Sequence, residues 1–337
     1  MTPHLPLKNK LTSLHNYNYN LPFELIAQKP VRPRDHSRLL VLDKKNQTIG
    51  HYKFYDIIDY LNPGDVLVFN NTKVIPARLH GQKITGGKLE VFLLNKITNQ
   101  IWTCLIKGKI KIDQEIFFSK KFKGKIVSKN NELYKIVFNK KNITSIGETP
   151  TPPYIKPKSN LKEYQTVYAK HEGSVAAPTA GFHFTKALLK KLKAKGVQLE
   201  YITLHVGLGT FQPVKEQDIT KHKMHSELAT INKSTAIRLQ KAKKQNRRII
   251  AVGTTTVRTL ESLKLQAGSK WTDIFIYPGY KFNCVDAMIT NFHLPQSTLL
   301  MLISAFSDSA LVKKAYHEAV AKKYRFYSFG DAMFIYK

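Results

Sequence analysis

The amino-acid sequence predicts an α/β fold. We expect a discontinuous α/β sheet domain, formed by residues 21–62 and 154–337, with an inserted small all-β barrel-like domain at residues 63–153. The insert is predicted by short β-rich runs that follow one another closely between residues 66 and 138, as in small barrels and sandwiches. The sheet is predicted by strands that alternate with helices beyond Tyr164, because that order is typical of α/β proteins.

The first segments of the chain are short. Residues 1–20, MTPHLPLKNKLTSLHNYNYN, lack the apolar stretch of a secretory signal and are expected to form a polar extension. The chain then predicts a short helix at Pro22–Ile26 and a buried strand at Leu39–Leu42. Helical spacing of apolar residues returns at Phe54–Leu61, and a Pro-Gly-Asp turn follows it.

Seven β-rich runs make up the insert. Gly, Asn, Asp and Lys separate them at close spacing. Pro76 lies inside one run and places that strand at an edge or a bulge, since proline cannot donate to a ladder. A proline-rich stretch, TPTPPYIKP (149–157), marks the end of the insert.

The second half of the chain has clear signals for helix starts and strand ends. Thr185 is predicted to cap a helix that Gly196 ends, and Ser234 to cap a helix that runs to about Lys244. The further elements, in chain order, are strands at 197–206 and 247–252, a helix from Thr254, a strand at 271–277, and helices at 297–305 and 311–324.

Composition restricts the class of protein. The chain has 54 Lys and Arg against 23 Asp and Glu, a net charge of +31, and such a field attracts polyanions, with RNA the obvious candidate. Only nine of the 54 are arginine, so ordinary solvated lysine surface remains an alternative. No apolar run reaches the roughly 18 residues of a membrane span. Cys104 and Cys284 are far apart, which predicts neither a disulfide nor a zinc site and is consistent with the cytoplasm.

Two clusters of small and polar residues stand near predicted strand ends. SVAAPTAGFHF (174–184) offers small residues that let a ligand approach the backbone, together with possible ligand contacts. TLHVGLGTF (203–211) has two glycines two residues apart, which is half of a dinucleotide fingerprint; a tight strand-to-loop turn is the alternative. The candidate residues of these two clusters are Pro178, Thr179, Gly181, His183, Gly207, Gly209 and Thr210.

A third cluster is HKMHSE (222–227). His225 and Glu227 are candidates for acid/base chemistry, because histidine titrates near neutral pH; a solvated loop is the alternative. The HExxH pattern is absent, and we expect no metal site.

The fourth cluster combines VGTTTVRTLES (252–262) with DAMITNFHLPQST (286–298). Thr254, Thr255 and Thr256 at a strand end, with Arg258 one turn into the helix, would cradle a carboxylate, phosphate or ribose. Arg258 could instead be a surface cation. Asn291 and His293 offer hydrogen bonds in one loop. The residues alone thus predict a basic α/β enzyme with a β insert and an anionic or nucleoside ligand.

The same segments resemble the S-adenosylmethionine:tRNA ribosyltransferase-isomerase family. Eleven of them match its pattern in order from about Leu21 to Met333, and SVAAPTAGFHF, HVGLGTF and TNFHLPQST are the most specific. One departure concerns residues 16–20, which read NYNYN where the family usually has acidic residues, so a carboxylate role there is in doubt.

The resemblance implies that S-adenosylmethionine is a co-substrate and that there is no prosthetic group. The ribosyl portion would move onto 7-aminomethyl-7-deazaguanine at the tRNA wobble position, giving epoxyqueuosine with release of adenine and methionine. A positioned base would take a proton from the carbon beside the sulfonium. The partner would be the anticodon stem-loop of tRNA, and the enzyme would be a cytoplasmic monomer.

Roles for the candidate residues follow from that scheme as hypotheses. His183, His225 and Glu227 would transfer protons. Arg258 would bind the methionine carboxylate, and His293 beside Asn291 would contact the incoming base. The nucleoside would be held by Gly207, Gly209, Thr210, Thr254, Thr255 and Thr256.

Two other classes remain open. An RNA methyltransferase would also bind S-adenosylmethionine, but would release S-adenosylhomocysteine; the glycine-rich methyltransferase loop is missing near the N-terminus. A non-catalytic tRNA-binding protein would explain the charge and would consume no nucleoside.

Overall fold

A computed structural model describes residues 11–156, 160–207 and 214–337. Its framework is a nine-stranded sheet, a closed six-stranded barrel and a two-stranded sheet. The predicted α/β class and the barrel are therefore confirmed. Among the described residues, no helix combines the length and the apolar character that crossing a bilayer requires.

The strands are numbered in chain order. They are β1 (Arg38–Asp43), β2 (Thr48–Lys53), β3 (Val66–Asn70), β4 (Thr72–Val74), β5 (Arg78–Gln82), β6 (Lys88–Lys96), β7 (Ile101–Lys107), β8 (Glu115–Ser119), β9 (Phe122–Asn130), β10 (Leu133–Phe138), β11 (His171–Ser174), β12 (Gln198–Leu204), β13 (Glu227–Ile231), β14 (Ile249–Val252), β15 (Gly268–Thr272), β16 (Ala287–Asn291) and β17 (Ala332–Tyr336).

The helices are of two kinds. The α-helices are α1 (Lys186–Ala194), α2 (Lys233–Lys244), α3 (Thr254–Leu263), α4 (Thr298–Phe306) and α5 (Ser309–Ala321). The 3-10 helices are Leu14–Tyr17, Phe23–Leu25, Arg34–His36, Phe54–Tyr60, Ile143–Ile146, Thr179–His183 and Ile219–Lys221.

The large sheet has the strand order β15-β13-β12-β3-β14-β16-β17-β1-β2. Its four middle strands, β12, β3, β14 and β16, are parallel to their neighbours in this group. Their carboxyl ends therefore meet at one edge of the sheet. In open α/β sheets that edge is where ligands bind.

Apolar residues cover both faces of the sheet. In β1, Leu40 and Leu42 pack in the core under α2 to α5, whereas Leu39 and Val41 pack with α1 on the other face. Successive side chains of a strand point to opposite faces, so a strand buried on both sides reads as a continuous apolar run.

Strand β3 corrects the predicted extent of the insert. The sequence predicts a barrel-like domain over residues 63–153, but β3 lies in the middle of the large sheet, between β12 and β14, with all five residues buried. The barrel consists of β5 to β10 alone. Strand β4 pairs with β11, and Pro76 lies between the ladders of β4 and β5.

Two predicted helix caps have different outcomes. The side chain of Thr185 accepts a hydrogen bond from Leu188 N at 3.1 Å, as predicted for the start of α1. The predicted cap Ser234 is wrong, because α2 begins earlier: Asn232 is the cap and accepts from Thr235 N at 2.8 Å. Asparagine and serine both serve as helix caps, so the spacing of apolar residues did not show which of Asn232 and Ser234 caps the helix.

Residues 11–20 are part of the fold, in contrast to the polar extension predicted for residues 1–20. Leu14, Tyr17 and Tyr19 are buried in the larger sheet core. Leu14 N donates to Gln217 O at 2.9 Å, and the Tyr19 hydroxyl donates to the backbone oxygen of His293. Three apolar side chains among Asn and His residues are enough to fix this segment against α5 and the loop after β16.

We predict that Leu14→Ala lowers the free energy of unfolding by about 2–4 kcal/mol, the usual cost of a buried leucine truncation. The matched control is Leu11→Ala, since Leu11 is 44% exposed and should change stability by less than about 0.5 kcal/mol. Urea unfolding followed by circular dichroism measures both. Equal, small effects for the two variants would show that the segment does not pack as described.

Candidate active site

The candidate active site lies at the edge where the parallel strands end. After β14, Gly253 has φ +90°, a conformation that favours glycine, and the chain turns directly into α3. After β16 the loop of Asn291 and His293 follows. These two segments and the Thr179–His183 turn surround one pocket.

Six of the predicted residues line this pocket. They are Pro178, Thr179, Thr254, Thr255, Asn291 and His293. Five further polar lining residues are not among the predicted site residues, namely Tyr154, Thr290, Ser297, Tyr327 and Ser328. Each of the five falls inside a segment that carries the family resemblance, which is the signal that could have found them.

The pocket wall is uncharged and rich in hydroxyls. In the described part of the chain, no lysine or arginine lines it, although the chain has 54 of them. The hydroxyls of Thr179 and Thr254 make no hydrogen bond to another described residue, whereas Thr255 Oγ1 accepts from Asn70 Nδ2 at 3.3 Å. The first two hydroxyls are therefore available to a ligand.

Two helices begin at the pocket. Gly253, Thr254 and Thr255 form the start of α3, and Ser297 caps α4, accepting from Leu300 N at 3.2 Å. The first backbone N–H groups of a helix have no partner within the helix and carry partial positive charge. The wall thus favours a carboxylate or another anion without using a charged side chain.

His293 is held on three sides. Its Nε2 lies 2.8 Å from Thr290 Oγ1, and its backbone N donates to the Tyr316 hydroxyl at 2.9 Å. The Tyr19 hydroxyl donates to its backbone oxygen. Burial lowers the pKa of His293 to about 3, so the ring is neutral at pH 7. The other ring nitrogen, Nδ1, is the one left for a ligand.

His183 lies behind the pocket wall. Its side chain is buried against Phe54, and Nδ1 is 2.7 Å from Ser37 Oγ. Its Nε2 has no hydrogen-bond partner among the described residues. Burial lowers the pKa of His183 to about 3, so this ring too is neutral at pH 7.

Two predicted ligand-binding residues have packing roles. A Cβ on Gly181 would lie 1.8 Å from the Tyr168 hydroxyl oxygen, so glycine is needed for the close approach of these segments. Thr256 is fully buried, and its hydroxyl donates to Val252 O at 2.7 Å. Neither residue lines the pocket.

A larger cleft adjoins the pocket. It holds about 690 Å³ between the barrel and the sheet edge formed by β12, β13 and β15. Gly207, His225 and Glu227 line it, and His225 is exposed. Val206 lines both spaces. The pocket alone holds only about 80 Å³. Because sites for drug-sized ligands hold about 300–1,000 Å³, a nucleoside ligand must extend past Val206 into the cleft.

Arg258 and Glu227 form a buried ion pair. Both side chains are 3% exposed, and Arg258 Nη1 donates to Glu227 Oε2. The other carboxylate oxygen accepts from Gly207 N at 2.9 Å, and Arg258 Nε donates to Ile274 O at 3.4 Å. The arginine assigned to a ligand carboxylate and the glutamate assigned to proton transfer are thus partners of each other.

Two predicted residues, Gly209 and Thr210, lie outside the described residues. Within the described ranges, no group of three or more His, Cys, Asp or Glu could hold a metal ion.

Comparisons with known proteins identify relatives of this chain. A family model described as "Queuosine biosynthesis protein" matches residues 14–335. A relative from Sulfurihydrogenibium sp. is 54% identical over 96% of this chain and 99% of its own length, and one from Thermosipho melanesiensis is 51% identical over 96% and 99%. Both are named S-adenosylmethionine:tRNA ribosyltransferase-isomerase. A crystal structure of S-adenosylmethionine tRNA ribosyltransferase from Thermotoga maritima superposes with a TM-score of 0.56 at 39% identity, covering 95% of this chain and 99% of that one.

The two buried histidines predict how stability depends on pH. A histidine whose folded pKa is lowered binds its proton in the unfolded chain first, so its contribution is complete above pH 6.5 and is lost as pH falls toward 3. Within that window, each of the two histidines should lower the free energy of unfolding by about 1.4 kcal/mol for every unit by which the pH falls. We predict that His183→Gln reduces the loss of unfolding free energy between about pH 6 and pH 5 by roughly 1 kcal/mol.

The control for this prediction is His317→Gln, because His317 is exposed on α5. It should leave the pH dependence of urea midpoints as in the parent chain. An unchanged slope in His183→Gln would mean that the ring is protonated in the folded protein.

Proposed function

This chain belongs to the queuosine biosynthesis protein family and is a transferase-isomerase of that family, and from this premise we propose its reaction. It transfers and isomerises the ribosyl moiety of S-adenosylmethionine onto 7-aminomethyl-7-deazaguanine at the tRNA wobble position. The product is epoxyqueuosine-tRNA, and adenine and methionine are released. The observation that carries the proposal is the uncharged, hydroxyl-rich pocket that opens onto a nucleoside-sized cleft.

The pocket suits a sulfonium. A cation would be repelled by lysine or arginine, and neither lines the wall in the described ranges. Tyr154, Phe292 and Tyr327 place aromatic side chains on it instead, and aromatic faces attract cations. In a chain of net charge +31, a wall without positive side chains favours binding of a positively charged co-substrate.

The methionine carboxylate has its best site at the starts of α3 and α4. Their unpaired N–H groups offer positive partial charge, while Arg258 is paired with Glu227. This replaces the role predicted for Arg258. The hydroxyls of Thr179 and Thr254 are free to bind the ribose or the amino-acid end, and the nucleoside extends past Val206 toward Gly207 in the cleft.

Proton transfer is assigned to His225. It is the histidine of the predicted set that is exposed in the cleft, and histidine is the side chain that most often serves in general acid–base catalysis. His183 and Glu227 act as positioning residues, since both side chains are buried and Glu227, although it lines the cleft, is bonded to Arg258 and Gly207. Asn291 and neutral His293 contact the incoming base from the pocket side.

We also propose the RNA partner, the cellular location and the assembly state of the enzyme. The reaction takes place on the anticodon stem-loop of tRNA, in the cytoplasm, with the chain acting as a monomer and without a prosthetic group. The RNA loop covers the open side of the cleft, and this protects an opened ribose from hydrolysis once both substrates are bound.

The product of turnover tests the proposal. Incubation with S-adenosylmethionine and tRNA that carries the aminomethyl base should release free adenine and methionine in equal amounts, as measured by liquid chromatography with mass detection. The control is tRNA with unmodified guanine at the same position, which should release neither. S-adenosylhomocysteine as the main product would identify a methyltransferase, and unchanged nucleoside with bound tRNA would identify a binding protein.

Thr254 and Thr256, two residues apart at the start of α3, provide a matched test of the pocket. We expect Thr254→Val to raise the KM for S-adenosylmethionine roughly 3- to 10-fold, the usual value of one lost hydrogen bond. Thr256→Val should leave KM unchanged, because that hydroxyl bonds Val252 O inside the fold. Steady-state adenine release measures both variants. A larger KM change in Thr256→Val than in Thr254→Val would place the ligand elsewhere.

A further inference from the structure

Two exposed apolar side chains stand on the walls of the cleft. Trp271 is 53% exposed on β15, the edge strand of the large sheet, and Leu133 is 42% exposed at the start of β10 in the barrel. The indole is in register with Leu228 of β13. Tryptophan is seldom left this exposed without a partner, and the reaction proposed above gives it no role.

The barrel wall of the cleft is polar around Leu133. Asn95 lies near the end of β6, Asn130 ends β9, and Asn131 and Glu132 form the turn to β10. The three amides can both donate and accept hydrogen bonds, and the Glu132 carboxylate can accept them. Nucleic-acid bases present the same mixture of donors and acceptors on their edges, so this wall can bind an unpaired base through its edge.

Lysines adjoin the cleft without entering it. Lys96, Lys129 and Lys270 each follow or precede a lining residue in the sequence, and all three are exposed. In the described ranges, the lining itself contains no lysine or arginine. Because successive side chains of a strand point to opposite faces, these lysines contribute to the positive field around the cleft, whereas the lining combines an indole, amides and the carboxylates of Glu132 and Glu227. Single-stranded nucleic acids are bound by stacking of bases on aromatic side chains, with cations along the backbone.

We propose that this cleft binds unpaired nucleotides of an RNA loop, with one base stacked on Trp271. The assignment rests on the proposed function, which requires an RNA loop near the pocket. The position of the cleft next to the pocket supports this proposal. Val206 lines both spaces, so an RNA segment that lies on Trp271 and the barrel amides passes the mouth of the pocket. The net charge of +31 favours RNA over an apolar peptide as the occupant.

The two tryptophans of the chain make the stacking directly measurable. Trp102 is 5% exposed inside the barrel, so iodide should quench the emission of Trp271 selectively. A synthetic anticodon stem-loop with unmodified guanine at the wobble position is the probe. Binding should reduce the emission of Trp271 and protect it from iodide. A Trp271→Phe variant, which retains only Trp102, should show neither change.

Affinity variants separate stacking from apolar contact. Trp271→Leu should weaken binding of the stem-loop roughly 5- to 100-fold by fluorescence anisotropy, and Trp271→Phe much less, because phenylalanine keeps a stacking face. The matched control is Tyr52→Ala on β2, at the opposite edge of the same sheet, where Tyr52 is 42% exposed. It should change affinity by less than about 2-fold.

Salt dependence distinguishes stacking from phosphate contacts. Trp271→Leu should leave the slope of log affinity against log salt unchanged, because a lost stacking contact releases no counterions. An unstructured RNA of the loop sequence should compete for the site, and a duplex of the stem sequence should not.

The assignment is overturned if the bound stem-loop leaves Trp271 open to iodide, or if Trp271→Leu binds as tightly as the parent chain. These measurements need no turnover. If stem-loop binding depends on Trp271 but tRNA that carries the aminomethyl base gives no adenine, the proposed reaction is refuted and the cleft assignment stands. If that tRNA gives adenine while Trp271 stays open to iodide in the stem-loop complex, the cleft assignment is refuted and the reaction stands.

Discussion

The buried pair of Glu227 and Arg258 fixes the geometry on which both the pocket and the cleft depend. It joins β13 to α3, and through the second carboxylate oxygen it also holds the backbone of Gly207 where β12 leaves the sheet. Removing two charges from water is expensive, and such a pair seldom adds net stability over apolar residues of the same size. The pair instead holds β13, α3 and the backbone of Gly207 in place, because a charge that lost its partner in this interior would cost about 3–5 kcal/mol. The pairing uses Nη1 of Arg258, whereas Nη2 has no hydrogen-bond partner among the described residues.

Electrostatics divides the molecule into two regions with different tasks. Lysines are concentrated on the exterior, where each exposed charge is solvated, and their summed field attracts a polyanion over a distance of about 8–10 Å at ordinary salt. The pocket instead depends on helix starts, hydroxyls and aromatic faces. A sulfonium and an RNA backbone have opposite charges, so one basic surface could not serve both. In the proposed complex the helix starts bind the carboxylate of the co-substrate and the aromatic faces bind its sulfonium. Neither feature weakens the positive field that attracts the RNA.

The sequence predicted well what depends on local chemistry, and less well what depends on partners distant in the chain. The cap at Thr185 and the small-residue turns at strand ends follow from local geometry, and six predicted residues do meet in one pocket. The apolar run of β3 reads alike for a barrel strand and for a central parallel strand, so its place required the whole sheet. The burial of Tyr17 and Tyr19 was concealed by the asparagines between them. The reaction itself came from the resemblance, since no composition or spacing specifies ribosyl transfer.

The junction at Val206 limits how the two substrates can meet. The pocket is too small for a nucleoside, and the cleft is too open to keep water from a reactive sugar. A co-substrate held by its amino-acid end in the pocket therefore presents its ribose at the junction, on the open side. An RNA loop that stacks on Trp271 would cover that side, so the second substrate would complete the wall around the first. In this arrangement water is excluded only when both are bound, and the sulfonium is not activated while the cleft is open.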